Sequence, residues 1–172
     1  MCSSDLLLSP LPAPESDAVA TVLVVAGEHW EDFAPEAQAA FLAQTWRVGP
    51  QSDRMGYRLQ GPALARPSTG ELLSEGVAFG TVQVPPDGQP IVLMAERQST
   101  GGYPKIAHVA SVDLPLLAQL APGQRLRFER VSLDRAQALL EDRERHFARL
   151  QARLGAAALS HPEPSDADEH RA

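Results

Sequence analysis

Apolar and polar positions along the chain fall mostly into short runs, which predicts a largely β structure. The predicted strands are the apolar or alternating runs at 21–27, 45–50, 55–61, 77–84, 90–95, 105–112 and 125–131. The first of these, TVLVVAG, is rich in β-branched residues and ends at a glycine, which is typical of a buried strand. The last, RLRFERV, alternates polar with apolar residues, as a half-buried strand does.

Two loop segments separate the predicted strands in the middle of the chain. Residues 62–76 are predicted as a loop that ends in a short strand, and residues 96–104 as a glycine-rich polar loop. Between the fourth and fifth strands, the order Pro86-Asp87-Gly88 suits a tight turn, because proline fixes φ and glycine takes the position that needs a positive φ. These two strands are therefore predicted to form a β-hairpin.

Three segments carry helix signals. Residues 34–44 and 113–120 are predicted as short helices, the second with Asp113 as its N-cap. A long helix is predicted from the N-cap residue Ser132 to about Leu159, with an apolar stripe that is expected to face the core. The stripe consists of Ala136, Leu139, Leu140, Phe147, Leu150 and Leu154.

The predicted elements define a mainly β (α+β) fold. Several short strands with few helices favour a β-rich barrel or closed sheet over an alternating βαβ fold. It would carry a short helix after the first strand and a long C-terminal helix. Residues 1–18 are predicted to be a flexible leader, residues 19–159 a single domain, and residues 160–172 a disordered tail.

Composition and charge narrow the classes of function. The 172 residues suffice for one domain with a substantial core. The formal net charge of −7 argues against a nucleic-acid clamp or a basic membrane-surface module. No apolar run reaches the roughly 18–20 residues of a membrane span. We therefore expect a cytoplasmic protein that binds neither nucleic acid nor membranes.

Several common catalytic motifs are absent from the sequence. There is no GxxxxGK[ST] phosphate loop, no GxGxxG, no HExxH and no GxSxG nucleophile elbow. The single cysteine, Cys2, excludes disulfides and cysteine metal sites, and the five histidines are scattered. No metal site is predicted.

The segment 83–105, QVPPDGQPIVLMAERQSTGGYPK, concentrates polar and glycine residues within an apolar region. The adjacent Gly101 and Gly102 allow a backbone to approach a ligand and to point N–H groups at an anion. Lys105, the only lysine of the chain, would supply a cation for a carboxylate, a phosphate or an oxyanion. The alternative is a hairpin and a glycine turn with solvated charges, and the residues alone leave both open.

A second group of polar residues lies in SDRMGYRLQG at 52–61. Arg54 would bind a carboxylate, since a guanidinium can do so with two parallel hydrogen bonds. An Asp53–Arg54 pair that only braces a turn is an equally good interpretation. Glu75, in LLSEG, is a candidate general base or a partner for Lys105.

Together, SDRMGYRLQG, LLSEGVAFGTVQVPPDGQPIVLMAERQSTGGYPKIAHV and DLPLLAQLAPGQRLRF resemble the family that comprises the 5-oxoprolinase C subunit, KipA and allophanate hydrolase subunit 2. This family is also described as the biotin-dependent carboxyltransferase family. The resemblance covers residues 22–131, and QVPPDGQP and TGGYPK are its most specific parts. Members of the family are substantially longer, so the chain resembles only their C-terminal half. Glu96 and Ser99 stand where the family has Asp and Thr, which keeps the functional groups.

The resemblance implies a cyclophilin-like β-barrel in a protein that forms one subunit of an amide-bond hydrolase. It suggests a fragment of the C subunit of an ATP-dependent 5-oxoprolinase, which opens 5-oxoproline to L-glutamate. The implied partners are a KipI-like B subunit and a LamB/YcsF-like A subunit, with ATP as co-substrate of the complex. The chain is then expected to be inactive without these partners and without the N-terminal half.

Two alternatives stay open within the same family. One is a biotin-dependent carboxyltransferase, or allophanate hydrolase subunit 2, that acts on urea-type amides and depends on biotin. The other is a KipA-like regulatory protein that binds a KipI-like kinase inhibitor. Both share the expected fold, so the sequence does not separate them from the 5-oxoprolinase interpretation.

The resemblance also implies roles for residues at matched positions. Substrate binding is implied for Arg54, Gln83, Gln98, Thr100, Gly101, Gly102 and Tyr103. Catalysis is implied for Lys105, Asp87 and Glu75. Side-chain and backbone amides suit a small planar amide, the cations suit a carboxylate or a phosphorylated oxygen, and the acids suit proton transfer.

Overall fold

The computed structural model of the protein describes residues 18–66 and 72–159. Its nine strands are β1 Val19–Ala26, β2 Trp46–Val48, β3 Gly56–Gln60, β4 Glu75–Gly76, β5 Thr81–Gln83, β6 Ile91–Leu93, β7 Thr100–Gly101, β8 Lys105–Val109 and β9 Arg125–Arg130. Its α-helices are α1 Pro35–Ala43, α2 Leu114–Ala118 and α3 Leu133–Leu159. The predicted tail at 160–172 and nearly all of the predicted leader lie outside the described residues.

Seven strands form a closed barrel in the order β1-β8-β5-β6-β3-β2-β9. Neighbouring strands are antiparallel except at the closure, where β1 and β9 run parallel over six paired residues. The mainly β barrel, the short helix after the first strand and the long C-terminal helix are thereby confirmed. Closure leaves these strands without a free edge, so the short strands are all paired.

The barrel interior is filled by apolar side chains that alternate with outward-facing ones. Val22 and Val24 of β1 are buried, as are Leu126 and Phe128 of β9. Helix α1 closes one end of this core, where the Phe41 ring stacks on the Phe128 ring at 4.6 Å between centroids. Both tryptophans, Trp30 and Trp46, are buried core residues. Burial of these large side chains is the main favourable term in folding.

The predicted hairpin is confirmed, although its first strand is shorter than expected. β5 and β6 pair antiparallel, and Gly88 in the connecting turn has a φ of +73°. The predicted strand at 77–84 begins only at Thr81, because Gly80 turns the chain with a φ of +85° and Thr81 N–H donates to the Ala78 carbonyl. Residues 77–79 therefore do not join the barrel.

Asp113 does precede α2, but the predicted capping hydrogen bond is not formed. Its Oδ2 instead accepts the N–H of Leu23 in β1 at 2.7 Å. The backbone N–H of Leu23 thus takes the place of a capping donor at the Asp113 carboxylate. Burial of the Asp113 carboxylate raises its pKa. Ser132, by contrast, accepts the N–H of Arg135 at 3.2 Å and caps α3 as predicted.

The stripe along α3 was expected to face the core, and only its first part does. Ala136 is buried, and Arg143 donates to the Val112 carbonyl at 2.9 Å, which ties the helix to the barrel. Further along, Phe147 and Leu154 are exposed. The helix extends past the surface on which its first turns pack. No helix in the described part of the chain is long and apolar enough to cross a membrane.

Two further strands form a separate ribbon outside the barrel. β4 and β7 pair antiparallel, with Glu75 opposite Gly101 and Gly76 opposite Thr100. The short strand at the end of the 62–76 loop is confirmed, whereas β7 lies in a segment predicted to be loop. We call residues 72–76 and 99–103 the ribbon. It covers part of the outer face of the barrel.

Candidate functional site

A row of outward-facing residues crosses four neighbouring barrel strands. Arg58 of β3 pairs with Ile91 of β6, and Ile91 pairs with Gln83 of β5. Gln83 in turn pairs with Lys105 of β8, because the register shifts by one residue after Val82. Cross-strand partners lie side by side. Strand pairing thus brings together polar residues that are up to 47 positions apart in sequence.

The ribbon lies over the Gln83 end of this row. Gln83 Nε2 donates to the Tyr103 carbonyl at 3.2 Å, and Gln83 is 4% exposed. The ribbon approaches so closely that a Cβ on Gly101 would lie 2.6 Å from Gln83 Nε2. A side chain at position 101 would therefore have to displace the Gln83 amide, which a glycine avoids.

A cavity of about 720 Å³ opens between the ribbon and the uncovered end of the row. We call it the ribbon cavity. Its lining residues are Gln51, Asp53, Met55, Gly56, Arg58, Ser74, Gln83, Ile91, Leu93, Gln98, Thr100, Gly101, Gly102 and Tyr103. The lining is mainly polar, with amides, hydroxyls, one cation and one carboxylate beside a few apolar side chains, so it offers hydrogen-bond partners to a small polar molecule.

Lys105 lies behind the ribbon rather than in the lining of the cavity. Its Nζ is 2.7 Å from Glu75 Oε2, and its side chain is 5% exposed. Both backbone groups of Lys105 bind His29: the N–H donates to His29 Nδ1 at 3.2 Å, and the carbonyl accepts the His29 N–H at 3.1 Å. The hydrogen bond and charge of Lys105 lower the pKa of Glu75.

A second polar group adjoins this pair. His108 Nε2 lies 2.9 Å from Glu28 Oε2, and His108 Nδ1 lies 3.1 Å from Thr81 Oγ1. Burial alone would raise the pKa of Glu28, but its own backbone N–H and the His108 ring outweigh burial and lower the pKa. A carboxylate on Nε2 favours the tautomer with the proton on that nitrogen. Of the five histidines, His29 thus contacts the Lys105 backbone, and His108 pairs with Glu28 and Thr81 nearby.

The structure separates the residues predicted to bind substrate into two groups. Those that line the ribbon cavity are Gln83, Gln98, Thr100, Gly101, Gly102 and Tyr103. Arg54 does not line it: its guanidinium pairs with Glu96 Oε1 at 2.9 Å and faces a separate cavity of about 330 Å³. The aspartate next to it, Asp53, braces the turn by accepting the N–H groups of Met55 and Gly56.

The residues predicted to be catalytic are also divided. Lys105 and Glu75 form one pair, directly beside Gln83. Asp87 lies in the exposed hairpin turn, where its Oδ1 accepts the Gln89 N–H at 3.0 Å, and it is not among the lining residues of the cavity. The geometry alone thus gives Asp87 a turn-stabilising contact.

Arg58, His29 and His108 are among the residues that the sequence did not place at the site. Arg58 shares the segment SDRMGYRLQG with Arg54, and only the inward-outward alternation along β3 shows which arginine faces the cavity. His29 and His108 carry no local signal, because their role depends on the pairing of β1 with β8.

The class of protein follows from the family that matches this chain. Residues 3–130 match the carboxyltransferase domain, subdomain A and B. The chain therefore belongs to the carboxyltransferase domain family, which confirms the resemblance seen in the sequence. The matched range includes every described residue of the ribbon cavity.

Individual relatives place the chain more closely within the family. It is 46% identical over 128 residues to the 5-oxoprolinase C subunit of Escherichia coli, and this match covers 74% of this chain and 41% of the relative. It is 40% identical over 141 residues to the 5-oxoprolinase C subunit of Haemophilus influenzae, and that match covers 82% of this chain and 44% of the relative. The chain thus spans about two fifths of the length of these relatives.

A solved structure supports the fold. The crystal structure of the Kluyveromyces lactis urea carboxylase superposes with a TM-score of 0.70 at 25% identity, and covers 76% of this chain and 12% of that chain. The fold is a cyclophilin-like barrel, as the resemblance implied.

Proposed function

We propose that this chain acts as part of the C subunit of an ATP-dependent 5-oxoprolinase, which opens 5-oxoproline to L-glutamate. The observation that carries the proposal is the convergence of amide and hydroxyl groups, from Gln83, Gln98 and Thr100, on the ribbon cavity. These residues lie in the range that matches the carboxyltransferase domain, and a relative of the chain is named as the C subunit of 5-oxoprolinase. A planar amide substrate needs donors and acceptors of this kind.

Lys105 and Glu75 are proposed as the catalytic pair. Lys105 is the cross-strand partner of Gln83, and its ammonium is buried against Glu75 of β4. The proposal requires a displacement of β4 that separates this pair and turns the ammonium toward the cavity. A released ammonium would stabilise negative charge that develops on a carbonyl oxygen, and Glu75 would then be free to move a proton. Asp87 lies outside the ribbon cavity, so it is proposed to carry protons only if a partner protein binds at the hairpin turn and forms a second part of the site there.

The proposed reaction requires further polypeptides. A KipI-like B subunit and a LamB/YcsF-like A subunit are the proposed partners, and ATP is the proposed co-substrate of the complex. No residue of this chain is assigned to ATP. The N-terminal half of the C subunit, which the relatives contain, is the third proposed contributor.

The proposal is tested by reconstitution. The full chain is co-purified with the KipI-like protein, mixed with the LamB/YcsF-like protein and a separately expressed N-terminal half, and assayed with 5-oxoproline and ATP. We expect release of L-glutamate that depends on ATP and on this chain. Glutamate release at the same rate when this chain is omitted would contradict the proposal.

A biotin-dependent carboxyltransferase acting on urea-type amides is the second candidate. It is favoured by the name of the matching domain and by the superposition on a urea carboxylase. Carboxylation of urea in the presence of a biotin carboxylase and a biotinyl carrier, without turnover of 5-oxoproline, would favour it. Tight binding of the KipI-like protein without turnover of either amide would instead favour the KipA-like regulatory role.

A further inference from the structure

We infer that Arg58 binds a carboxylate of the ligand in the ribbon cavity, and so selects small amides that carry a carboxylate over those that do not. The inference rests on the proposed function for the identity of the ligand, 5-oxoproline. The remaining support comes only from contacts within this chain.

The guanidinium of Arg58 has no partner among the described residues. Its backbone is engaged, since the N–H donates to Ser52 Oγ at 3.0 Å and the carbonyl accepts the Gly49 N–H at 2.8 Å. These two contacts hold β3 in place while the side chain lines the cavity. A guanidinium offers five N–H donors in a fixed planar arrangement that matches a carboxylate.

The other cations near the ribbon are already engaged. Arg54 pairs with Glu96 outside the ribbon cavity, and Lys105 is buried against Glu75. Arg97 donates its Nε to the Val77 carbonyl at 3.2 Å. Arg58 is thus the cation that lines the cavity and keeps its donors for a ligand.

The position of Arg58 also fits a ligand with two recognition groups. Arg58 and Gln83 lie on either side of Ile91, so two strand spacings, about 10 Å, separate their backbones. A small ring could rest on Ile91 with its carboxylate toward Arg58 and its amide toward Gln83. Asp53, the acidic residue of the lining, is held in the turn by two backbone N–H groups that donate to its Oδ1, which fixes where its negative charge lies relative to Arg58.

The experiment measures binding of two lactams to the full chain by calorimetry or NMR titration. 5-Oxoproline carries a carboxylate, and 2-pyrrolidone is the same ring without it. We expect the chain to bind 5-oxoproline about tenfold or more tightly than 2-pyrrolidone. Arg58→Gln should abolish this difference while leaving 2-pyrrolidone binding unchanged, and Arg58→Lys should restore part of it.

Arg54→Gln is the matched control, because it removes the same charge four positions away and outside the ribbon cavity. It should keep the preference for 5-oxoproline. Equal 5-oxoproline affinity in Arg58→Gln and the unchanged chain would overturn the inference, as would failure of the unchanged chain to prefer 5-oxoproline. The proposed function is judged separately by ATP-dependent glutamate release from the reconstituted complex, so the two can fail independently.

Discussion

Gly101 and Gly102 are neighbours in the ribbon, yet an added methyl group would meet different surroundings at each. At Gly101 it would lie 2.6 Å from the buried Gln83 amide, and at Gly102 it would lie 3.4 Å from the Leu72 carbonyl. We expect Gly101→Ala to displace Gln83, lower stability by about 1–3 kcal/mol and weaken ligand binding. Gly102→Ala is the control for stability and should change the unfolding temperature little; the affinity of Gly101→Ala is compared with that of the unchanged chain, because Gly102 also lines the cavity.

Thermal unfolding and lactam titration of both variants test this prediction. An unfolding temperature in Gly101→Ala that matches that of Gly102→Ala, with an affinity that matches that of the unchanged chain, would show that the ribbon does not press on Gln83. The prediction would then be wrong, and the ribbon would have to lie further from the barrel wall.

The Lys105–Glu75 pair gives the fold a dependence on pH. Because Lys105 lowers the pKa of Glu75 in the folded state, the pair stabilises the fold above the ordinary glutamate pKa of about 4.3. That contribution is lost as the pH falls through the lowered folded-state pKa. We expect Glu75→Gln to unfold at lower temperature than the unchanged chain near neutral pH, and the gap to close in acid.

Unfolding temperatures measured from about pH 7 down to about pH 3 test this dependence. Glu144→Gln is the matched control, since Glu144 is exposed on α3 and makes no ion pair within the described residues. A difference in unfolding temperature between Glu75→Gln and the unchanged chain that stays constant over this pH range would mean that the Glu75 carboxylate does not stabilise the buried ammonium.

At the scale of elements, the long apolar strand and the hairpin turn carry stronger local signals than the ribbon. The run at 21–27 and the turn at Gly88 carry local signals, because β-branched residues favour strands and a positive φ favours glycine. β4 was predicted as a short strand at the end of a loop, whereas β7 was predicted as loop; each has two residues, one of them glycine, and the two strands pair with each other. The sequence of β7 carries no strand signal of its own, because its strand character depends on that pairing.

The candidate site was predictable only in part. The glycine pair of TGGYPK was predicted to let the backbone approach a ligand, and the structure places Gly101 and Gly102 in the lining of the ribbon cavity, with Gly101 close to Gln83. The choice between Arg54 and Arg58 depends on the register of β3 against β6, which is set by the whole barrel. Local sequence therefore indicated segments that line the cavity but not the orientation of their side chains.

Helix α3 provides the prediction at this scale. Its stripe was expected to face the core, but Phe147 is 55% exposed, whereas Phe41 of α1 is fully buried. We expect Phe147→Ala to change stability by no more than about 0.5 kcal/mol. Phe41→Ala should cost about 3–5 kcal/mol, because it opens a cavity in the core. Chemical denaturation of both variants checks this, and a large loss in Phe147→Ala would show that the end of α3 packs on the barrel.

At the scale of the whole molecule, a closed barrel carries a small ribbon on its outer wall, and the two differ in how firmly they are held. β1 is paired with β8 on one side and with β9 on the other, while the ribbon has two paired residues in each strand. Its further ties to the barrel include the Gln83–Tyr103 hydrogen bond and the Glu75–Lys105 pair. Elements with few backbone hydrogen bonds open locally at much lower cost than the global fold.

Hydrogen exchange of the full chain should therefore show two classes of backbone amide. We expect amides of the ribbon to exchange on the order of a hundredfold or more faster than those of β1 and β9. Bound 5-oxoproline should slow amide exchange in the ribbon and leave amide exchange in β1 unchanged, because the ligand is expected to contact the ribbon and not β1. At the same concentration of 5-oxoproline, the slowing should be smaller in Arg58→Gln, because this variant is expected to bind the ligand less tightly; equal slowing would contradict the role of Arg58. Uniform slowing across barrel and ribbon would instead mean that the ligand stabilises the fold as a whole, against the location of the site in the ribbon cavity.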